Sequence, residues 1–274
     1  MTAYRAIDLV VNPFTPEMRA GPYGTTPEMR NALSSLGVFD APYTAAELVQ
    51  SMDAAGVEKV LVPASMWGVA AVPEELVATM AADHPGRIHG LAGIDPTDIS
   101  AGLARLERAV RELGFVGAHS YPHWFRLSPD DRVYYPFYAK CVELDIPIQV
   151  QAGLAYQQRL PNVGHPSSFD VIAADFPRLK LVAIHTGYPW ERELVAVAKK
   201  HPNVVIGADT NHPRDWAPEL LDFISGAGRT KVLFGTNKPV LDFADAIAGV
   251  DALGLEDGVK RDVLSENTRL LYGL

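Results

Sequence analysis

The sequence predicts a single-domain (β/α)8 barrel, in which eight parallel strands form a cylinder covered by helices. The chain has 274 residues, a length that suits one large α/β domain. Eight short, β-branched apolar stretches alternate with segments of helical periodicity along it. An open doubly wound sheet is the alternative fold. That fold normally has a glycine-rich turn after an early strand, whereas Asn12-Pro13-Phe14 stands there in this chain.

The predicted strands are nearly continuous apolar runs, as expected of parallel strands that helices cover on their outer side. They are residues 4–12, 57–63, 88–94, 115–120, 146–151, 179–185, 204–209 and 231–236.

The predicted helices lie between these strands. Thr44 and Glu47 have the spacing of a capping box, and Gly56 stands where the C-terminal cap of that helix belongs. The other predicted helices are 98–113, 136–144, 168–176, 190–200, 217–224, 243–253 and 255–272. Residues 13–43, rich in Gly and Pro, are predicted to form a long irregular insertion in the single domain 1–274, and a second loop spans 121–135. Loops of this length in a compact domain are usually functional or interface-forming.

Composition argues against several classes of partner. A net charge of −9 is unfavourable for binding nucleic acid or an anionic membrane surface. No apolar run reaches the length that crosses a bilayer, and residues 1–8 lack the layout of a signal peptide. The single cysteine, Cys141, has apolar neighbours and is predicted to be a buried thiol. We therefore expect a cytoplasmic protein with a small-molecule substrate.

The active site of a barrel of this kind lies where the strands end. Polar residues stand at or near most of the predicted carboxyl ends. These ends carry Val10, Asn12, Pro63, Ser65, Asp95, His119, Gln151, His185, Asp209 and Asn237.

The second half of the chain resembles the amidohydrolase-related superfamily, in the branch of the aminocarboxymuconate and resorcylate decarboxylases. The similar stretches are residues 175–190, 203–209 and 231–239. The resemblance implies a (β/α)8 barrel, usually oligomeric, that hydrolyses, hydrates or decarboxylates small and often aromatic or unsaturated carboxylates. It also implies a divalent metal held by an Asp-x-His-x-His strand, by histidines that end strands five and six, and by an aspartate that ends strand eight.

Four of these five metal-ligand positions differ here. The five positions hold Val10, Asn12, Gln151, His185 and Asn237, so that only the histidine of strand six is kept. A valine cannot bind a metal, and neutral amides bind zinc weakly without an anionic partner. We therefore predict an enzyme without a catalytic metal. The alternative is an atypical zinc or manganese site formed by His185, His119 and Asp209.

Three ionisable residues are the predicted catalytic groups. His185 is the candidate general acid or base, because histidine titrates near neutral pH; the alternative is a packed imidazole with a structural role. Asp209 could orient the ring of His185 or be a solvated loop carboxylate. His119 could bind a substrate carboxylate when protonated, polarise a carbonyl, or lie behind the site.

A further set of residues is predicted to bind the substrate. The amides of Asn12, Gln151 and Asn237 would hold its polar groups. The loop after strand four could cover a planar anion by stacking and charge pairing, or form a subunit interface instead. The residues concerned are Tyr121, Trp124 and Arg126, with Arg159 as a second candidate to bind a carboxylate.

The leading hypothesis is a hydrolase or carbon–carbon lyase, such as a decarboxylase, that acts on a small organic acid or cyclic metabolite through His185. A metal-dependent enzyme is one alternative. A catalytically silent barrel that binds a ligand or a partner protein is the other. A homo-oligomer is expected in each case.

Overall fold

Eight parallel strands follow one another around a barrel in the order in which they occur along the chain. The computed structural model describes residues 5–35, 42–155 and 160–274. The strands are β1 Ala6–Asp8, β2 Val57–Pro63, β3 Ile88–Gly93, β4 Gly117–Ser120, β5 Ile148–Gln151, β6 Leu181–Ile184, β7 Val204–Ala208 and β8 Val232–Phe234. The predicted (β/α)8 barrel is confirmed, and each strand lies within one of the predicted segments.

The barrel closes between β1 and β8. The Leu9 N–H donates to the Phe234 carbonyl at 3.1 Å, and the Asn12 N–H donates to the Lys238 carbonyl at 2.8 Å. Val11 and Lys238 also form an isolated parallel bridge. The first strand is shorter than predicted because its regular pairing ends at Asp8, although the backbone beyond it still bonds to both neighbouring strands.

Helices surround the barrel and connect its strands. They are α1 Pro16–Ala20, α2 Pro22–Thr25, α3 Pro27–Ser35, α4 Ala45–Ala55, α5 Glu74–Asp83, α6 Ile99–Arg111, α7 Pro122–Phe125, α8 Tyr135–Glu143, α9 Pro166–Asp175, α10 Glu191–Lys200, α11 Pro218–Ile224, α12 Phe243–Ala252, α13 Asp257–Arg261 and α14 Asn267–Tyr272. Short 3₁₀ helices span Arg132–Tyr134 and Pro213–Asp215, and a π-helical turn spans Asp262–Glu266.

The helices differ from the sequence predictions at four places, one of which is the short helix α7 within the predicted loop 121–135. Residues 13–43 are not irregular throughout: α1, α2 and α3 each begin with a proline, whose fixed φ and missing N–H suit a first helical turn. Helix α5 was not predicted, because its N-cap is Pro73 and offers no side-chain capping bond. The final helix, predicted as one element over 255–272, is divided by the π-helical turn.

The barrel interior is a packed core. A Cβ atom placed on Gly207 or Gly235 would lie 3.1 or 2.7 Å from a Cδ atom of Leu9. A Cβ atom on Gly117 would lie 3.0 Å from the ring of Tyr272, which belongs to α14. These contacts fill the axis and the amino-terminal end of the barrel, so the carboxyl ends of the strands are where a ligand can enter. Within the described ranges, no helix is long and apolar enough to span a membrane.

Candidate active site

His185 and Asp209 form a bonded pair at the ends of β6 and β7. The Nδ1 atom of His185 lies 2.6 Å from Asp209 Oδ2, and the backbone N–H of His185 donates to Asp209 Oδ1 at 2.7 Å. Both residues are buried. Because a carboxylate only accepts hydrogen bonds, Nδ1 carries the proton, and in the neutral ring Nε2 holds a lone pair. A histidine held in this way is suited to accept a proton at Nε2.

A line of hydrogen bonds joins this pair to β8 and β1. The Thr210 hydroxyl lies 3.1 Å from Asp209 Oδ2 and accepts from Asn237 Nδ2 at 3.0 Å. Asn237 Oδ1 in turn accepts from Asn12 Nδ2 at 2.7 Å. The backbone carbonyl of Asn12 accepts from the Tyr43 hydroxyl. The side chains at the ends of β6, β7, β8 and β1 are therefore held in one fixed arrangement.

The backbone is strained at the same positions. His185, Thr210 and Asn237 have φ angles of +70°, +68° and +50°. The left-handed region is unfavourable for residues with a side chain, and most of all for a β-branched residue such as threonine. Strain of this kind costs on the order of 1–3 kcal/mol per residue and is concentrated at functional sites. Its occurrence at the ends of three consecutive strands marks this end of the barrel as the candidate site.

His119 on β4 is a second buried histidine with a defined tautomer. Gln149 donates from Nε2 to the Leu9 carbonyl at 2.7 Å and to the Tyr272 hydroxyl at 3.0 Å, so its Oε1 faces His119 Nδ1 at 2.8 Å. Nδ1 must therefore be the donor, which leaves Nε2 as an acceptor in the neutral ring. Burial lowers the pKa of His119 to about 4, so the ring is neutral at pH 7. Nε2 has no hydrogen-bond partner among the described residues.

Aromatic rings form a continuous wall beside His185. The ring of Tyr121 stacks on that of His185 with centroids 6.1 Å apart, and Trp67 stacks on Tyr121 at the same distance. Tyr23 packs on Trp67 at 4.8 Å, and Phe14 packs on Tyr23 at 5.8 Å. The four rings are buried and pack on one another, so they form an apolar side of the site next to His185.

Other buried polar atoms lie near the same ends of the strands. Ser65, just after β2, and Ser120, the last residue of β4, each have a hydroxyl without a hydrogen-bond partner in the part of the chain that the structure describes. His123 in α7 bonds through Nε2 to the Gly153 carbonyl at 3.0 Å. Burial lowers the pKa of His123 to about 4, so this ring is also neutral.

Asp8 is a buried carboxyl beneath the site. It accepts from the Val10 N–H at 3.0 Å, from the Thr236 N–H at 3.1 Å and from the Thr236 hydroxyl at 2.6 Å. Desolvation raises the pKa of Asp8 to about 7 although these three bonds oppose the shift. The carboxyl joins the irregular end of β1 to the end of β8, so its role is to hold the two strands together.

The structure brings the predicted catalytic residues and part of the predicted binding set to one end of the barrel. His185, Asp209, Asn237 and Asn12 are bonded in one network, and Tyr121 contacts the rings of both His185 and His119. The other predicted residues are less directly connected to that network. Gln151 is buried at the end of β5, Trp124 is half-buried in α7, Arg126 is exposed at the C-terminal cap of α7, and Arg159 lies outside the described residues.

Sequence reasoning did not find several members of the site. Thr210 follows Asp209 directly, and this position next to a strand end could have identified it as a site residue. Gln149 lies two residues before Gln151 on the same strand, so alternation along the strand places both on one face. Tyr23, on the short helix α2, and Trp67, in the loop after β2, reach the site through tertiary packing and carry no local signal.

The residues at the five family positions do not fit a divalent metal. Val10 is a buried hydrocarbon, and the amides of Asn12 and Asn237 are bonded to each other. Nδ1 of His185 is occupied by Asp209 and by Thr210. In the described part of the chain, no three His, Cys, Asp or Glu side chains come together as a group that could hold an ion.

The fold and the strand-end site define a (β/α)8 barrel of the enzyme type, with its candidate site at the carboxyl ends of the strands. Residues 19–274 match the amidohydrolase family model. The protein belongs to the amidohydrolase family, which confirms the resemblance seen in the sequence. Most metal-ligand positions of that family are substituted in this chain.

One known relative is similar in sequence over part of the chain, and several solved structures are similar in fold over nearly all of it. A 2-keto-4-carboxy-3-hexenedioate hydratase from Sphingobium sp. is 34% identical over 115 residues, which cover 35% of this chain and 34% of the hydratase. The chain thus matches about a third of that relative's length.

Three solved structures share the architecture over nearly the whole chain. A TIM-barrel protein from Bordetella bronchiseptica superimposes with a TM-score of 0.82 at 22% identity, covering 98% of both chains. A 2,6-dihydroxybenzoate decarboxylase from Rhizobium gives 0.69 at 20% identity, again over 98% of both chains. A manganese-bound 5-carboxyvanillate decarboxylase from Novosphingobium aromaticivorans gives 0.74 at 17% identity, covering 99% of this chain and 96% of its own. At these identities the similarity is one of fold.

Proposed function

We propose that the protein is an enzyme that transfers a proton to or from a small unsaturated or aromatic carboxylic acid, with His185 as the general acid–base and no catalytic metal. The observation that carries this proposal is the His185–Asp209 pair, whose 2.6 Å contact fixes the protonated nitrogen of the ring. The names of the relatives support the substrate class, since they include a hydratase and decarboxylases of carboxylic acids.

Asp209 has two tasks in this mechanism. It holds the ring through Nδ1 and the backbone through the His185 N–H, so that Nε2 keeps a lone pair for an incoming proton. When Nε2 takes that proton, the carboxylate stabilises the imidazolium that forms. Proton transfer by a positioned histidine contributes about 10²–10⁴-fold to a rate.

One histidine is sufficient for either of two reactions. In a hydration, His185 removes a proton from water as the oxygen adds to a conjugated double bond, and the proton is then delivered to the neighbouring carbon. In a decarboxylation, protonated His185 delivers its proton to the carbon that loses CO₂. Tyr121, whose ring lies beside that of His185, would orient a planar substrate for both steps.

The test compares His185→Gln with a matched control. Both variants and the wild type are assayed with a panel of candidate substrates, namely hydroxybenzoates, carboxylated phenols and unsaturated dicarboxylates. The readouts are release of CO₂ and loss of conjugated absorbance. We expect His185→Gln to lower turnover at least 100-fold with an unchanged melting temperature. His201→Gln is the control, because His201 is also 2.6 Å from an aspartate, Asp170, but lies at the end of α10. Equal activity of the wild type and His185→Gln would disprove the role of His185.

Two further measurements separate the alternatives. Elemental analysis should find no stoichiometric metal, and prolonged treatment with a chelator should leave turnover unchanged. Stoichiometric zinc or manganese, together with loss of activity on chelation, would instead support the metal-dependent enzyme. A silent barrel would show ligand-induced thermal stabilisation with no product from any acid in the panel.

The proposal includes a cytoplasmic location and assembly into a homo-oligomer. The single thiol, Cys141, is buried in the core and suits a reducing compartment. Light scattering on the purified protein decides the oligomeric state.

A further inference from the structure

His119 lies beside the proposed acid–base residue but has no place in the proton transfer. It is almost completely buried, and its ring meets the edge of Tyr121 at a centroid distance of 4.4 Å. Tyr121 also stacks on His185 and on Trp67. The two imidazoles are therefore neighbours across one tyrosine ring.

Gln149 and the Leu9 carbonyl determine which ring nitrogen of His119 carries the proton. The Leu9 carbonyl can only accept, so it requires Nε2 of Gln149, and the amide oxygen of Gln149 must then face His119 Nδ1. Flipping the amide would place two oxygens 2.7 Å apart. Nδ1 is consequently a donor, and in the neutral ring Nε2 can only accept.

We propose that His119 is a specificity-determining residue whose Nε2 accepts a hydrogen bond from a hydroxyl or amine group of the bound acid. This inference rests on the proposed function for the substrate class but not for the hydrogen-bonding geometry. An acceptor at this position rejects a second carboxylate or an ether oxygen, which would place two lone pairs against each other. The buried, unpartnered Nε2 atom supports the assignment, since such acceptors normally have a partner.

The low pKa that burial gives His119 agrees with this reading, because a neutral ring keeps its acceptor at pH 7. It also argues against the expectation that protonated His119 binds a substrate carboxylate. The carboxylate would instead be held elsewhere at the mouth of the barrel.

The binding test uses matched probes. Calorimetry compares 3- and 4-hydroxybenzoate with the corresponding methoxybenzoates and benzenedicarboxylates. We expect the better hydroxybenzoate to bind about tenfold more tightly than both of its counterparts, since a polar group left without a partner in a buried site costs roughly 1–3 kcal/mol. Equal affinities, or no measurable binding of either hydroxybenzoate, would overturn the proposal.

Two substitutions of His119 distinguish the contribution of Nδ1 from that of Nε2. In His119→Asn, the amide can still donate to Gln149 in place of Nδ1, but nothing replaces Nε2. In His119→Gln, the amide ends near the position of Nε2 and can still accept. We expect His119→Asn to lose the preference for the hydroxybenzoate and His119→Gln to keep part of it. A preference that survives in His119→Asn contradicts the assignment.

A spectroscopic measurement tests the tautomer without any variant. Nitrogen-15 spectra of histidine-labelled wild-type protein should show His119 with a protonated Nδ1 and a bare Nε2 at pH 7, and Nε2 should shift when the hydroxybenzoate binds. The opposite tautomer would overturn the proposal. Turnover is measured separately: if it does not depend on His185 while the preference for the hydroxyl group is intact, only the proposed function is refuted.

Discussion

Replacing Asp209 by asparagine should reverse the tautomer of His185. The backbone N–H of His185 is a fixed donor 2.7 Å from Asp209 Oδ1, so the oxygen of the new amide must stay on that side. The amide nitrogen then faces Nδ1 in place of Oδ2, at the 2.6 Å contact. Because this nitrogen donates, Nδ1 must become an acceptor and the ring proton moves to Nε2.

A histidine protonated on Nε2 in its neutral form cannot accept a proton from the substrate. We expect kcat/KM to fall about 10³–10⁴-fold, which corresponds to roughly 4–5.5 kcal/mol of transition-state stabilisation. The fold should survive, because the new side chain has the same shape and its amide still bonds to the His185 backbone. Thermal denaturation checks this point.

The control is Thr210→Val. Thr210 Oγ1 is also within 2.7 Å of His185 Nδ1, but the Asp209 carboxylate still fixes the ring when this hydroxyl is lost. A loss of about tenfold is expected, in line with one neutral hydrogen bond. The assay combines turnover of the substrate found in the panel with nitrogen-15 spectra, in which His185→Gln identifies the signals. The reasoning is refuted if Asp209→Asn leaves Nε2 unprotonated, or if its rate falls less than that of Thr210→Val.

Two predictions concern stability. The pKa of Asp8 is raised to about 7 in the folded protein, so the native state holds this proton more tightly than the unfolded chain and loses stability as pH rises from about 4 to 7. Urea unfolding should therefore show Asp8→Asn gaining roughly 2–3 kcal/mol relative to the wild type between pH 5 and pH 8; a constant difference would show that Asp8 does not titrate in this range. Gly93→Ala should destabilise the fold by more than about 3 kcal/mol, because its Cβ would lie 1.9 Å from the Ala64 carbonyl oxygen in a packed backbone. Gly226→Ala, whose Cβ would lie at an ordinary 3.4 Å from the Asp222 carbonyl oxygen, should cost less than about 1 kcal/mol, and equal losses in the two variants would contradict the steric argument.

The strand-end positions were accessible from sequence because a parallel barrel places the carboxyl ends of all its strands together. Once His185, Asp209 and Asn237 were assigned to the ends of strands six, seven and eight, their proximity followed from the fold class. Helix α5 was missed because helices on the outside of a barrel are stabilised largely by tertiary packing. Its proline N-cap gave no local start signal.

The chain alone determined the barrel, the family and the loss of four metal-ligand residues, because apolar periodicity and residue identity are local properties. Tertiary structure decided which atoms of the site are free to act. Asn12 and Asn237 bond to each other, and Asp209 fixes the proton of His185. Gln149 makes Nδ1 of His119 a donor and thereby leaves Nε2 as the acceptor. Each of these facts depends on contacts between strands that are distant in sequence, and a hydrogen atom's position follows from its bonding partner and not from the residue that carries it.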